Sequence, residues 1–534
     1  KFDLSRIPVD DKATLELFQT GNTGAVFQFE SEGMRDQLRK AKPDCLEDLV
    51  ALNALYRPGP MDQIPHFIDR KFGREKVEYL DPRMEPILRE TYGIMVYQEQ
   101  VMLVARAIGG YSLGGADLLR RAMGKKNVEE MKRQRAVFIK GAAERNVSEA
   151  TATEIFDLME KFAGYGFNKS HAAAYSYVAW QTAYLKVHHT ACFTAGNLCL
   201  SMDSGEKMRA LVEDARAMGV TVLPPDVNVS EWFFTVPNEK TVRFGLGAIK
   251  GVGQNVVEEL LDERLMNGPY LDIFDLAARV PGINRKILEQ MIRAGAFDSI
   301  DPDRGKLFAN VHQALSAAQT VAASVGQASL FADENGEEER IVSWGEAEKW
   351  DDKRKFTEEK QAYGFCLTGD MFDAYRQEVK EFYIPFKSLS VGKTTQTIAG
   401  IVQDVRVIQG KRGRFAVVVL SDGQETIDVC AYSETYERYK SMLKADEVLV
   451  IAGRGRLDER MNRVSMTASQ IMTIEEVRLK RGARLVFEMD ETANTKELKK
   501  LLTETPRSEN GVLCEAIVNL KKFKGCLVYK DRLE

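Results

Sequence analysis

Tyr111–Lys126 reads YSLGGADLLRRAMGKK. Gly114-Gly115 lets the backbone turn without steric penalty. Asp117 stands where a first-turn carboxylate favours a helix start, and Leu118–Met123 suits the helix that follows. Between Tyr111 and Arg135 the basic residues Arg120, Arg121, Lys125, Lys126, Lys132, Arg133 and Arg135 outnumber the acidic Asp117, Glu129 and Glu130. Adjacent arginines present planar forks that hold phosphate oxygens bidentately. The plain alternative is a solvated basic face. Paired glycines, arginines and lysines in one short run favour a polyphosphate site.

The whole chain is not basic. Its 534 residues carry a formal net charge of −5, so a polyanion site must be a local patch on an acidic body. The length suits three or four domains at about 150 residues each, and 44% hydrophobic residues allow ordinary cores. Seven cysteines, none in a CxxC pair, argue against a disulfide framework or a zinc ribbon. Cys192 and Cys199 on a helical stretch read as core residues. Five histidines do not suggest a His-rich metal site. No apolar run of membrane length and no signal peptide is legible, so the expectation is a cytoplasmic protein without a membrane partner.

Upstream of the central run, Asp10–Thr20, Gly33–Lys40, Pro43–Leu55 and Tyr92–Ile108 read as helices, with Arg57-Pro58-Gly59-Pro60 as a stop. Tyr97, Gln98 and Gln100 can hydrogen-bond a ligand, although such residues are more often structural. Downstream, Val128–Glu144 and Ser148–Phe162 are helical. Gly164–His171, GYGFNKSH, is a glycine-punctuated loop leading into the helix Ala172–His188, whose Tyr177, Trp180 and Tyr184 read as core. Asn168, Lys169 and His171 at that helix start form a donor cluster suited to an anion or a base edge.

The runs AVFQFES (Ala25–Ser31), ALYRPGPM (Ala54–Met61), YGIMVYQEQVM (Tyr92–Met102), GYSLGGADLLRRAMGKK and EKFAGYGFNKSHAAAY (Glu160–Tyr175) closely resemble the bacterial DNA polymerase III alpha subunit, the C-family replicative polymerase. The resemblance weakens after about Asp490. It implies a fingers domain that closes over the incoming dNTP, with Arg120 and Arg121 on the triphosphate. Lys125 would line the same site, and Asn168, Lys169 and His171 the nucleotide or primer–template pocket. The family's catalytic carboxylates, which hold two Mg²⁺ ions, belong to a palm upstream of the fingers. The resemblance therefore implies no catalytic or metal residue in this chain, a start after the palm, and a structural role for Asp3.

The later segments carry their own signals. Ile249–Gly253 followed by Gln254–Arg264 reads as a helix–hairpin–helix between flanking helices. There Lys250, Gly251 and Gly253 would bring backbone N–H groups to a DNA phosphate, and Asn284–Ala294 suggests a tandem unit. The bland alternative is a pair of ordinary helical hairpins. Gln327, Leu330 and Phe331, in GQASLF, suit an extended peptide anchored in an apolar groove and resemble the family's sliding-clamp motif. Five alternating strands between Gln396 and Ile474, with a helix after the third, match an OB-fold. Its first hairpin offers Lys411, Arg412, Arg414 and Phe415 to single-stranded nucleic acid.

The expected fold is multidomain α+β: mostly helical fingers and tandem helix–hairpin–helix, then a β-barrel OB-fold and a small α/β C-terminal domain. The divisions are fingers at 1–228, helix–hairpin–helix and clamp-binding domain at 229–346, a connecting segment at 347–395, OB-fold at 396–476 and C-terminal domain at 477–534. The resemblance implies part of a replicative DNA polymerase, with primer–template DNA, dNTP and sliding clamp as partners. The clamp loader's tau subunit and the proofreading exonuclease would be met through the parent. The alternatives are a non-catalytic DNA-binding and clamp-tethering module, and an error-prone repair polymerase of the same family.

Overall fold

The chain divides into two compact units, Lys1–Lys349 with Gln361–Phe365, and Trp350–Lys360 with Cys366–Glu534. The structure is a computed structural model that describes residues 3–125, 128–163, 166–324, 344–380, 383–410, 413–423, 425–458, 463–481, 484–489, 496, 500, 507–520 and 525–533. Lys411, Arg412, Gln327, Leu330 and Phe331 lie outside the described residues, as does the side chain of Lys125.

The first unit opens with α1 (Lys12–Thr20), α2 (Glu32–Ala41), α3 (Leu46–Leu55), α4 (Ile64–Lys71) and the short α5 (Glu85–Leu88). It continues with α6 (Gln98–Gly109), α7 (Leu113–Lys125), α8 (Val128–Ala143), α9 (Glu149–Ala163), α10 (Lys169–His188), α11 (Thr190–Cys199) and α12 (Gly205–Ala217). Among the described residues, two apolar cores organise α1–α10. The first gathers Phe18, Phe29, Leu38, Leu52, Phe67 and Trp180. Trp180 is buried against Phe18, and its indole N–H donates to the Pro8 carbonyl at 2.9 Å, so the large ring leaves no unpaired polar atom. The second gathers Val101, Val104, Ala105, Leu119, Phe138, Phe156 and Met159.

The stretch between them is not helical as expected. Tyr92 adopts a left-handed φ of 51°, and helix α6 starts only at Gln98. Ile94 and Val96 enter the first core while Met95 enters the second. An extended segment turns successive side chains to opposite sides, which a helix running from Tyr92 would not do. Gln100, fully buried, accepts from the N–H groups of Val96 and Tyr97 at 2.8 and 3.0 Å and donates to Thr91 Oγ1 at 2.9 Å. Its role is structural.

Beyond α12 a small sheet, missed in the sequence, has strand order β1 (Thr221–Leu223), β3 (Thr241–Arg243), β2 (Thr235–Asn238). Three- and four-residue strands carry too little alternation to be seen. Helices α13 (Gln254–Asn267), α14 (Ile273–Arg279), α15 (Arg285–Arg293), α16 (Arg304–Ala309) and α17 (Val311–Ser324) complete the described part of the unit before residue 344. Cys192, expected in a core, is exposed. No helix among the described residues is long and apolar enough to cross a membrane.

The chain continues through α18 (Asp352–Tyr363) to α19 (Asp373–Val379). Next come β4 (Gln396–Gly410), β5 (Gly413–Ser421), β6 (Thr426–Ala431), α20 (Ser433–Tyr439), β7 (Val448–Asp458), β8 (Arg463–Thr473) and α21 (Ile474–Arg481). Strands β4 to β8 close into a barrel in the order β4-β5-β6-β8-β7, sealed by the parallel pair Val429↔Met466. Alternation on β5 sends Ala416, Val418 and Leu420 inward, where they meet Ile398, Val429, Leu449 and Ile451. A three-stranded sheet follows, β11 (Gly525–Leu533), β10 (Arg507–Leu520), β9 (Arg484–Met489).

Candidate functional site

Ser112 starts α7: its hydroxyl accepts from the Gly115 N–H at 3.1 Å and its carbonyl from the Ala116 N–H at 2.9 Å. Gly114 and Gly115 therefore lie inside the first turn rather than in a turn before it, and Asp117 falls in the second turn. Ala116, Leu119, Ala122 and Met123 are buried in the second core. Helical spacing then leaves Asp117, Arg120 and Arg121 together on the other side. The Asp117 carboxylate takes Arg120 Nη2 and Arg121 Nη2, each at 2.8 Å. Hydrogen bonds from Arg120 hold that carboxyl below its ordinary range.

Gln98 joins this cluster to the GYGFNKSH loop. Its Oε1 accepts from Arg120 Nη1 at 3.0 Å, its Nε2 donates to the Gly166 carbonyl at 3.1 Å, and its backbone N–H donates to the Phe167 carbonyl at 2.9 Å. Phe167 returns its own N–H to the Val96 carbonyl at 3.1 Å. Side chains more than 60 residues apart in sequence thus share one corner.

Helix α10 begins one turn earlier than its sequence suggested, because Asn168 is its N-cap. Asn168 Oδ1 accepts from the His171 N–H at 2.9 Å, and its Nδ2 donates to Glu99 Oε1 at 2.9 Å. The Lys169 ammonium pairs with Glu90 at 2.7 Å and sits 5.5 Å from the centre of the buried Tyr97 ring. Two of the three expected donors are therefore engaged in building the corner. The His171 ring remains exposed, 4.1 Å from Tyr175 and 5.4 Å from Phe167. Arg57 lies 4.5 Å over Phe167.

At the Ile249–Gly253 turn, Gly251 needs its positive φ of 81°. A Cβ on Gly253 would meet nothing within 4 Å, so the backbone is open to close approach there. The element before this turn is a 3-10 turn, Leu246–Ala248, where a helix was expected. Lys250 is exposed, but its backbone N–H is already donated to the Ala362 carbonyl at 2.9 Å. The second hairpin joins α14 to α15, whose N-cap is Asn284. Its Gly282 N–H is taken by the Glu259 carboxylate at 3.1 Å. Lys286, exposed at the start of α15, reaches within 3.5 Å of a Cβ built on Gly251. The tandem is asymmetric: one turn is open with a lysine beside it, the other closed by a carboxylate.

On the barrel, Arg414 is exposed and the Phe415 ring packs 5.6 Å from Tyr432, which follows β6. Arg456 of β7 donates to the Tyr432 hydroxyl at 2.6 Å and to Cys430 Sγ at 3.6 Å. Phe415, Tyr432 and Arg456 form one outer-face cluster beside the β4–β5 hairpin, where OB-folds take nucleic acid.

Residues 1–146 match the bacterial DNA polymerase III alpha subunit finger domain, 219–307 a helix-hairpin-helix motif, and 396–474 the OB-fold nucleic acid binding domain. The chain is 42% identical over 516 residues to DNA polymerase III subunit alpha of Neisseria meningitidis serogroup A, covering 95% of this chain and 45% of that protein. The chain is related to bacterial DNA polymerase III alpha subunits. Identity is 40% over 504 residues to the Escherichia coli K12 subunit, covering 91% of this chain and 43% of that protein. For the Vibrio cholerae subunit it is 41% over 494 residues, covering 89% and 42%. The chain thus spans less than half the length of these relatives.

Polymerases of this kind depend on divalent metal. Among the described residues the ligand-bearing triplet Asp44, Cys45 and Asp48 does not fit such an ion. Asp48 is buried and already paired with the Lys71 ammonium, and the Tyr92 hydroxyl donates to it at 3.3 Å. Sequence reasoning passed over Tyr432, Arg456 and Lys286. A tyrosine after a strand and an arginine within one are ordinary in sequence; only barrel closure aligns them.

Proposed function

We propose that this chain supplies the nucleotide-binding fingers, DNA-binding elements and clamp-binding segment of a replicative DNA polymerase that adds dNMP to a primer 3′-hydroxyl. The observation that carries the reading is the corner where Gln98 links the Arg120–Asp117–Arg121 cluster, which lies inside the matched finger domain at 1–146, to the 166–171 loop downstream of that match. The two guanidinium forks, already oriented by Asp117, present donors to a triphosphate, and Lys125 is proposed as a further dNTP-binding residue. His171 is the exposed ring of the corner and faces the nucleotide or primer–template, while Asn168 and Lys169 hold that ring's helix in place. Lys250, Gly251 and Gly253, joined by Lys286, position duplex phosphates. Lys411, Arg412, Arg414 and Phe415, joined by Tyr432 and Arg456, take single-stranded DNA.

The domain divisions at 228, 346, 395 and 476 are part of the proposal. So are two Mg²⁺ ions held mainly by carboxylates outside this chain, the tau and exonuclease partners, and a cytoplasmic location. The test uses a full-length subunit carrying Arg120→Ala or Arg121→Ala. Each lost charge-assisted contact is worth about 1.5–3 kcal/mol, so the apparent KM for dNTP should rise at least tenfold. Unchanged nucleotide kinetics in both variants would remove them from the triphosphate site.

Gln327, Leu330 and Phe331 are proposed as the clamp contact, with both apolar residues as anchors. Leu330→Ala/Phe331→Ala should weaken clamp binding by about 3–6 kcal/mol if additive. Surface plasmon resonance against the clamp reads this, and equal affinities would move the tether elsewhere.

A further inference from the structure

Between Lys169 and Lys186, α10 carries no Asp, Glu, Lys or Arg. Its positions His171, Ala174, Tyr175 and Val178 are nevertheless exposed, Tyr175 by 36% and Val178 by 41%. A solvated helix face ordinarily carries charge. Beside it stands Phe27, 38% exposed, its ring 5.3 Å from Tyr175. The rings Phe27, Tyr175, His171 and Phe167 therefore run as one row from the 166–171 corner.

Phe27 is held in solvent by design of its loop. Ala25 and Gln28 adopt φ of 58° and 65°, a region that side-chain-bearing residues enter only when their surroundings impose it. The surroundings do so. The Lys186 ammonium, wholly buried, donates to the Asn22 and Gly24 carbonyls and to Asp214, each at 2.8 Å. Thr23 Oγ1 donates to the Phe29 carbonyl at 2.6 Å, and the Phe27 N–H donates to Thr182 Oγ1 at 3.2 Å. Val26 and Phe29 are buried on either side. The loop sinks its neighbours and leaves one ring out.

We propose that Phe27 and Tyr175 form a stacking platform for DNA bases that extends the corner's nucleotide side along α10, with Lys186 as the positioning residue that fixes the platform. The proposal rests on the reading of that corner given above. Bases rather than phosphates are the ligand, because the exposed face of α10 between Lys169 and Lys186 offers π surfaces and no Lys or Arg, while Arg57 lies over Phe167 at the corner end of the row. Stacking on aromatic rings is tolerant of base identity, as a replicative enzyme requires.

Photocrosslinking tests it. The full chain, with Phe415→Ala/Arg456→Ala to silence the barrel, is crosslinked to primer–template oligonucleotides carrying 5-iodouracil at one position at a time, and the peptides are mapped. Crosslinks should fall on the peptide of Phe27 or Tyr175. Phe27→Leu should lower that yield about tenfold, the loss of one stacked base, and Phe27→Tyr should restore it. Lys186→Met should lower it as much without touching DNA, measured well below its own melting temperature. Thr182→Val, which removes a single tie, serves if that variant does not fold. Crosslinks confined to the 166–171 peptide would overturn the platform and leave the corner intact, as would full yield from Phe27→Leu. Crosslinks at neither place would overturn both, and an apolar protein partner would then be the occupant of this face.

Discussion

The corner around Gln98 and the barrel surface hold their cations differently. In the corner, Arg120 and Arg121 share Asp117 and Lys169 pairs with Glu90. On the barrel, Arg456 leans on neutral partners, the Tyr432 hydroxyl and the Cys430 sulfur. A cation paired in advance is oriented but partly neutralised, so an arriving anion must displace or share its carboxylate. A cation on neutral partners keeps its full charge toward a polyanion. The first arrangement favours a defined geometry for one small ligand. The second favours general, salt-sensitive attraction to a strand.

The contrast is steepest at Lys186, the paired mode taken into the interior. Burial pulls its pKa down, and Asp214 answers its charge. Removing one partner of a buried pair costs about 3–5 kcal/mol. Lys186→Met should therefore lower stability by about that amount in urea titration, far more than Lys169→Met at its partly exposed pair, which should cost about 0–1 kcal/mol. Equal losses would erase the distinction between the two pairs.

On the barrel the effect is smaller and shows in binding. Phe415→Ala and Tyr432→Ala should each weaken single-stranded DNA binding by about 1–3 kcal/mol per stacked base. Arg456→Ala should flatten the dependence of log K on log salt by about 0.7 for one lost phosphate contact. Fluorescence anisotropy across a salt series reads both, and an unchanged slope would show that Arg456 serves Tyr432 alone.

The smallest effect is a pH signature at Asp117. Its folded pKa is depressed, so its contribution to stability is present above the ordinary carboxylate value of about 3.9. It is lost as pH falls through the depressed value. The difference in urea midpoint between wild type and Asp117→Asn should close on acidification. A gap that persists at low pH would mean that something other than charge makes it.

How much of this could be read beforehand depends on the range of the interaction. The helices α8 and α9 and the five barrel strands were legible because apolar spacing is a local signal. The start of α6 was misplaced, since the 92–97 stretch is extended only to feed two cores at once. Gly114-Gly115 looked like a turn because glycine permits one, yet Ser112 supplies a cap that makes helix the better use. The RR pair and the FNKSH run were visible as chemistry. That Asn168 and Lys169 already have carboxylate partners was not, because Glu90 and Glu99 lie far upstream.

Sequence by itself determined the kinship of the chain, the helical and barrel segments, and which stretches bear cations and rings. Those follow from residue type and spacing along one chain. Tertiary structure alone decided that Gln98 joins two motifs, that Tyr432 and Arg456 complete the barrel cluster, and that Phe27 stays in solvent while Val26 and Phe29 sink. Each of these depends on which distant groups satisfy a buried or strained one, and that is settled only when the chain has folded back on itself.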